Sequence, residues 1–177
     1  MRIIGGDLKG RRFNPPTNLQ ARPTPDMAME SLFNILNNMI DFEETTVLDM
    51  FGGTGGISFE FASRGSNNIV TIEKSGINHG FIKKAIAELG VGDKINLIKG
   101  DTFKFVNSTG AKFDLIFADP PYDLKELPTI PDLIFEKELL NEEGIFILEH
   151  PKEFRFESHP HFMEHRNYGH VNFTFFK

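Results

Sequence analysis

Between residues 45 and 150, short apolar runs alternate with stretches in which apolar positions recur every three or four residues. The runs at 47–50, 68–73, 94–99, 113–118 and 144–149 have the length and side-chain type of buried strands. The helical spacing at 56–64, 78–89, 102–107 and 131–140 predicts helices between them, and Gly65 and Gly90 follow the first two as C-terminal stops. Strict alternation of this kind predicts an α/β fold, a doubly wound and mainly parallel sheet covered by helices on both faces. The pattern then breaks. Residues 161–166 and 171–176, separated by Asn167-Tyr168-Gly169-His170, predict a hairpin that adds an antiparallel strand and brings the sheet to seven.

The first 42 residues read differently. Residues 2–13 predict two short strands around a turn containing Gly5, Gly6 and Gly10, ended by Asn14-Pro15-Pro16. Ala21-Arg22-Pro23-Thr24-Pro25 is held extended by its prolines. From Asp26 onward Met27, Leu32, Phe33, Ile35, Leu36, Met39 and Ile40 recur at helical spacing, with Thr24 placed to cap the helix and Pro25 in its first turn. The boundary near residues 42–44 divides the chain into an extension, 1–42, and a main domain, 43–177.

Composition narrows the chemistry. The chain of 177 residues has no Cys, which excludes disulfides, Cys-based zinc sites and thiolate nucleophiles, including methylation of pyrimidine C5 through a covalent Cys adduct. No apolar stretch is long enough for a membrane helix and no signal segment opens the chain, so a cytoplasmic monomer is expected. The net charge of −6 conceals an asymmetry: residues 1–25 carry Arg2, Lys9, Arg11, Arg12 and Arg22 against Asp7, a balance of +4 that leaves −10 on the remainder. A basic arm on an acidic body points to polyanion contact through the arm.

In a doubly wound sheet ligands bind beyond the carboxyl ends of the strands. Here those ends read Asp49-Met50-Phe51-Gly52-Gly53-Thr54-Gly55-Gly56, Glu73, Gly100-Asp101 and Asp119-Pro120-Pro121-Tyr122. The glycine loop admits close approach of a ligand to backbone, but Ser58 stands where a dinucleotide fingerprint needs its third glycine. Glu73 suits a ribose diol, and Asp101 with the Thr102 amide suits an adenine edge. Three acidic strand ends repel a pyrophosphate and attract a ligand carrying an ammonium, a ribose, an adenine amine and a sulfonium; S-adenosylmethionine has all four. After them, Asp119-Pro120-Pro121-Tyr122 offers carbonyl and carboxylate acceptors beside an aromatic ring, a receptacle for the exocyclic amine of a stacked base.

The loop from Asp49 to Gly55, taken with Asp119-Pro120-Pro121-Tyr122, resembles the class I S-adenosylmethionine-dependent amino-methyltransferases, whose sheet is Rossmann-like. Arg2-Ile3-Ile4-Gly5-Gly6, Gly10-Arg11, Arg22-Pro23-Thr24, Asp26 and Glu30-Ser31-Leu32-Phe33-Asn34 narrow the resemblance to the RsmD-type 16S rRNA guanine-N2 methyltransferases, which modify guanine 966 of that RNA. The resemblance implies that Glu73 and Asp101, beside Thr102, bind the ribose and adenine of S-adenosylmethionine, Asp49, Gly53 and Gly55 its methionine end, and Asp119 to Tyr122 the target guanine. It implies an assembled small ribosomal subunit as partner, with Arg2, Lys9, Arg11, Arg12, Arg22 and Thr24 as RNA contacts. Family members commonly carry Arg where this chain has Met27 and Met29, and Gly where it has Ser58.

Two rivals follow from the same residues: an adenine-N6 methyltransferase, because the acceptor pair serves either amine, and a non-catalytic RNA-binding assembly factor on the same fold. No metal is expected, since His159, His161, His165 and His170 lack an acidic or Cys partner set and read as surface residues. Phe51 and Phe103 each follow a strand end and are candidates to pack on the cofactor. Glu149-His150-Pro151 ends the fifth strand without an assigned role.

Overall fold

The computed structural model describes residues 1–19 and 23–177. Its sheet has seven strands: β1 (Thr46–Asp49), β2 (Asn68–Glu73), β3 (Ile95–Lys99), β4 (Phe113–Ala118), β5 (Leu140–His150), β6 (Phe162–Tyr168) and β7 (Val171–Phe176). The order across the sheet is β3-β2-β1-β4-β5-β7-β6. β1 to β5 run parallel, while β7 pairs antiparallel with both β5 and β6. Order reverses at β1, so the carboxyl ends of β1, β2 and β4 converge on the crevice in which a doubly wound fold binds its ligand.

Among the described residues, five α-helices cover the sheet: α1 (Asp26–Leu36), α2 (Gly56–Ser63), α3 (Gly76–Leu89), α4 (Thr102–Ser108) and α5 (Ile130–Glu136). Side chains alternate across each strand, and the two faces bury separate apolar layers. Val47, Leu115, Phe117 and Phe173 pack with Phe33 of α1, Phe59 of α2 and Ile82 of α3; Leu48, Ile116, Phe146 and Phe176 pack with Val106 of α4 and Ile134 of α5.

The hairpin expected at residues 2–13 is present in a short form: Arg2 and Arg12 make an antiparallel bridge, Ile3 N donates to the Arg11 carbonyl at 3.0 Å and Phe13 N to the Met1 carbonyl at 3.1 Å. The rest of its backbone turns to the body. Ile4 and Gly5 donate N–H groups to the Glu60 carboxylate at 2.9 and 2.8 Å, Leu8 donates to the Ser63 hydroxyl at 2.9 Å, and Ser63 donates back to the Gly5 carbonyl at 2.6 Å. Ile3 and Phe13 are buried in the same apolar layer as α1 and α2. Thr24 does not cap α1: Pro25 occupies the cap position with no side-chain bond, and the Thr24 hydroxyl reaches β5. The helix expected at 131–140 stops at Glu136, because Glu138 turns through φ 50° and Leu140 pairs with Phe113 as the first residue of β5.

Among the described residues, no helix is long and apolar enough to cross a membrane.

Candidate active site

The crevice is lined by carboxylates, each set by the strand that precedes it. Asp49 ends β1 and is buried; its Oδ2 accepts the Ser58 hydroxyl at 2.7 Å, while Oδ1 is buried with no hydrogen-bond partner. Burial, opposed by the Ser58 bond and assisted by Glu73, pushes the Asp49 carboxyl up to about 6. The loop after it needs glycine. Gly55 has φ 81°, and a Cβ there would lie 2.6 Å from the Phe59 ring.

Glu73 ends β2 and holds this loop: Oε2 accepts from Gly53 N at 2.7 Å and Oε1 from Ser75 N at 2.6 Å. Each oxygen keeps a second lone pair for a ligand hydroxyl. Asp101 follows β3 and is engaged in two ways, capping α4 through Lys104 N at 3.1 Å and pairing with Lys74 Nζ at 3.1 Å. Burial raises its carboxyl, but these partners outweigh it and hold the group below its ordinary value. Thr102 beside it has a buried hydroxyl with no partner, and its N–H opens α4, where no intrahelical acceptor exists. Phe51 and Phe103 meet edge to face with centroids 6.3 Å apart.

Asp119 follows β4. Burial raises its carboxyl well above the ordinary value, and the neighbouring charges of Glu149 and Asp49 raise it further. Pro120 is buried, whereas Pro121 and Tyr122 are exposed, with 44% of Tyr122 accessible. The Tyr122 hydroxyl donates to Glu149 Oε1 at 3.3 Å, and Glu149 Oε2 accepts the Thr24 hydroxyl at 3.2 Å. Glu149, near the end of β5, is only 4% exposed, and burial lifts its carboxyl to about 7 against the pull of those two bonds. The sequence reading left this residue without a role, although an acidic residue closing the apolar run Ile145-Phe146-Ile147-Leu148 is the signal that marks it. His150 next to it is bonded elsewhere: Nε2 meets the Thr174 hydroxyl at 2.7 Å and Nδ1 the Pro151 carbonyl at 2.9 Å.

The basic arm lies along α3 and the start of α1. Lys9 and Arg12 are exposed; Arg2 pairs with Asp26 at 2.8 Å and Arg11 donates to the Glu88 carbonyl at 3.3 Å. Arg22 lies outside the described residues. A groove of about 610 Å³ separates Arg12, Asn14 and Pro16 from Ile77, Phe81 and Lys84 of α3, and a smaller one of about 240 Å³ lies between Arg2, Arg12, Asn14 and Asp26. Met27 is 65% exposed, whereas Met29 is buried in the apolar layer of α1 and α2. His159 and His161 lie against α5, where His159 meets Asp132 at 3.2 Å and His161 stacks on Phe135 at 3.8 Å, whereas His165 stacks on His150 and His170 lies in the exposed turn between β6 and β7.

Comparison with known proteins places the chain in a family and finds its fold in solved structures. The family model described as Conserved hypothetical protein 95 matches residues 1–177. The chain is 30% identical over 156 residues to YlbH of Bacillus subtilis, whose name assigns it provisionally to the rRNA methyltransferases; the match spans 86% of this chain and 84% of that one. It is 29% identical over 149 residues to Ribosomal RNA small subunit methyltransferase D of Escherichia coli, spanning 84% and 74% of the two chains. A solved structure of a hypothetical protein from Thermus thermophilus superposes with a TM-score of 0.87 at 26% identity, over 100% of this chain and 99% of that one.

Proposed function

We propose that this chain, which belongs to the Conserved hypothetical protein 95 family, is an rRNA methyltransferase that modifies the exocyclic N2 of a guanine in the RNA of the small ribosomal subunit. The observation that carries the reading is the Asp119-Pro120-Pro121-Tyr122 turn leaving β4 beside Asp49 and Glu149, with no counter-cation among the described contacts of Asp119. Such a site takes a neutral amine donor on one side and a cation on the other.

S-adenosylmethionine supplies the electrophilic methyl group when bound. The residues fit it. The orphaned Asp49 Oδ1 suits its ammonium, Glu73 its ribose hydroxyls, and the Thr102 amide and hydroxyl, with Asp101, its adenine edge; Phe51 and Phe103 suit its apolar surface. Asp119 and the Pro120 carbonyl accept the two hydrogens of the guanine amine, which keeps its lone pair out of the ring and aimed at the methyl carbon. Tyr122 stacks on the base once it has left its neighbours, an exchange in which about 1–3 kcal/mol of stacking offsets the cost of unstacking. With S-adenosylmethionine bound, the amine would take its methyl group with the thioether as leaving group, and Asp119, whose raised affinity for protons suits that role, would accept the surplus proton. Residues 1–42 act as the RNA-docking extension and 43–177 as the catalytic domain, through Arg2, Lys9, Arg11, Arg12 and Arg22 on the phosphates. The same acceptor pair admits adenine N6, so the target atom needs a direct test.

Incubation with labelled S-adenosylmethionine and unmodified small subunits, followed by digestion and mass spectrometry of the nucleosides, decides the matter. N2-methylguanosine is expected. N6-methyladenosine would overturn the guanine assignment, and tight cofactor binding without any methylated nucleoside would overturn catalysis.

A further inference from the structure

Glu149 joins two other parts of the chain, taking Thr24, 125 residues away, on one carboxylate oxygen and Tyr122, 27 residues away, on the other. It is almost wholly buried, yet it contacts Tyr122, which is exposed. We propose that Glu149 is a positioning residue that fixes the orientation of the Tyr122 ring over the cleft and ties it to Thr24, just ahead of α1 in the N-terminal extension. The proposal rests on the reading of the site given above.

Tyr122 sits in a surface turn in which Leu124 N bonds back to the Pro121 carbonyl at 2.9 Å, and the residue is 44% exposed to solvent. A stacking surface is useful only in one orientation, and a ring anchored at its hydroxyl and at its Cα cannot swing about χ1. A carboxylate suits this place because it accepts from both hydroxyls at once. Glutamine in its place keeps one oxygen for Tyr122 and offers its amide to the Thr24 oxygen. Alanine offers neither. The second arm matters as well: Thr24 lies next to the cap of α1, whose Asp26 holds Arg2, so the ring is joined through two side-chain bonds to the segment that carries the basic arm.

The chain has no Trp and two Tyr, so in a Tyr168→Phe background Tyr122 is the sole emitter above 300 nm and reports its own hydrogen bond. A carboxylate acceptor quenches tyrosine emission. In that background at pH 8.5, where the Glu149 carboxyl is ionised despite its burial, Glu149→Ala is expected to brighten emission, and an unchanged emission would overturn the tether.

The functional arm uses steady-state methylation of unmodified small subunits together with calorimetric binding of S-adenosylhomocysteine. Glu149→Ala and Tyr122→Phe are each expected to lower kcat/KM about tenfold, and the double variant to be no worse than either within about twofold. Glu149→Gln is expected to recover to within about threefold of the parent, and affinity for S-adenosylhomocysteine to stay within about twofold throughout. Additive losses in the double variant, or a Glu149→Ala loss matched by lost cofactor affinity, would overturn the positioning role. Where Glu149→Ala does not fold, Glu149→Gln and Tyr122→Phe carry the test, since a glutamine no better than Tyr122→Phe overturns it equally. A parent protein that methylates no guanosine refutes the reading of the site, and the emission measurement then still decides the tether.

Discussion

Ser58 donates its hydroxyl to Asp49 Oδ2 at 2.7 Å and meets the Thr71 hydroxyl at the same distance, both fully within the protein. Where the resemblance implies a glycine, this chain carries the partner of the buried carboxylate. Ser58→Ala removes that donor and leaves the Asp49 charge less supported, so the carboxyl rises further above about 6. The variant should bind S-adenosylmethionine about tenfold more weakly near pH 6.5 and recover toward pH 8.5, where Asp49 ionises regardless; calorimetry at the two pH values measures this.

Asp119→Asn should abolish turnover while leaving S-adenosylhomocysteine binding within a few-fold. It should also stabilise the cofactor-free protein. Because the Asp119 carboxyl is raised in the folded state, the fold binds a proton that the unfolded chain releases, and stability is lost as pH rises above the ordinary carboxylate range. The variant is therefore expected to exceed the parent by about 1–3 kcal/mol at pH 8 and to converge with it near pH 4, read by urea denaturation. Equal stability at pH 8 would show that the charge is not felt.

Glu60 joins the arm to the body. Its carboxylate is 2% exposed and takes Ile4 N, Gly5 N and the Arg64 guanidinium, which lies over the Phe33 ring at 4.8 Å. Glu60→Ala leaves two amides and a cation without their acceptor and is expected to cost about 3–5 kcal/mol. Protease nicking within residues 1–13 should accelerate in step, and its failure to do so would place the anchor elsewhere.

Lys9 and Arg12 project from the arm into solvent. If the arm docks phosphates, the logarithm of RNA affinity falls linearly with the logarithm of salt concentration, and each single change, Lys9→Ala or Arg12→Ala, lowers that slope by about one. A slope unchanged in both would move the RNA footprint away from the arm.

Gly6 adopts φ 74°, and a Cβ there would stand 1.9 Å from the Ser63 carbonyl oxygen. Gly6→Ala is thus expected to lift the arm from α2 and to destabilise the protein by more than about 2 kcal/mol, measurable by thermal denaturation.

The strands at Asn68–Glu73 and Phe113–Ala118 stand where their apolar runs place them, because β-branched and aromatic residues there end at abrupt polar punctuation. The acidic strand ends were legible for the same reason: a parallel sheet puts every carboxyl end on one side. What the sequence did not disclose were pairings across long separations. Residues 2–13 read as a hairpin and pair as one, but nothing local tells that Glu60 takes the backbone of Ile4 and Gly5. Thr24 read as a helix cap because the acceptor that claims it lies 125 residues away. Leu140 read as helical because apolar residues fit either period, and the left-handed turn at Glu138 has no glycine to announce it.

β7 lies between β5 and β6, and all six of its residues are buried. Order in space therefore differs from order of synthesis: β5 is made with its partner β4 already present, but its other edge stays bare until residues 162–176 have emerged. During that interval the run from Ile145 to Leu148 offers open backbone to any passing strand. The turn at Gly169 and the speed with which the last hairpin closes thus govern how long a nascent chain is prone to aggregate, and changes there should be felt in yield before they are felt in activity.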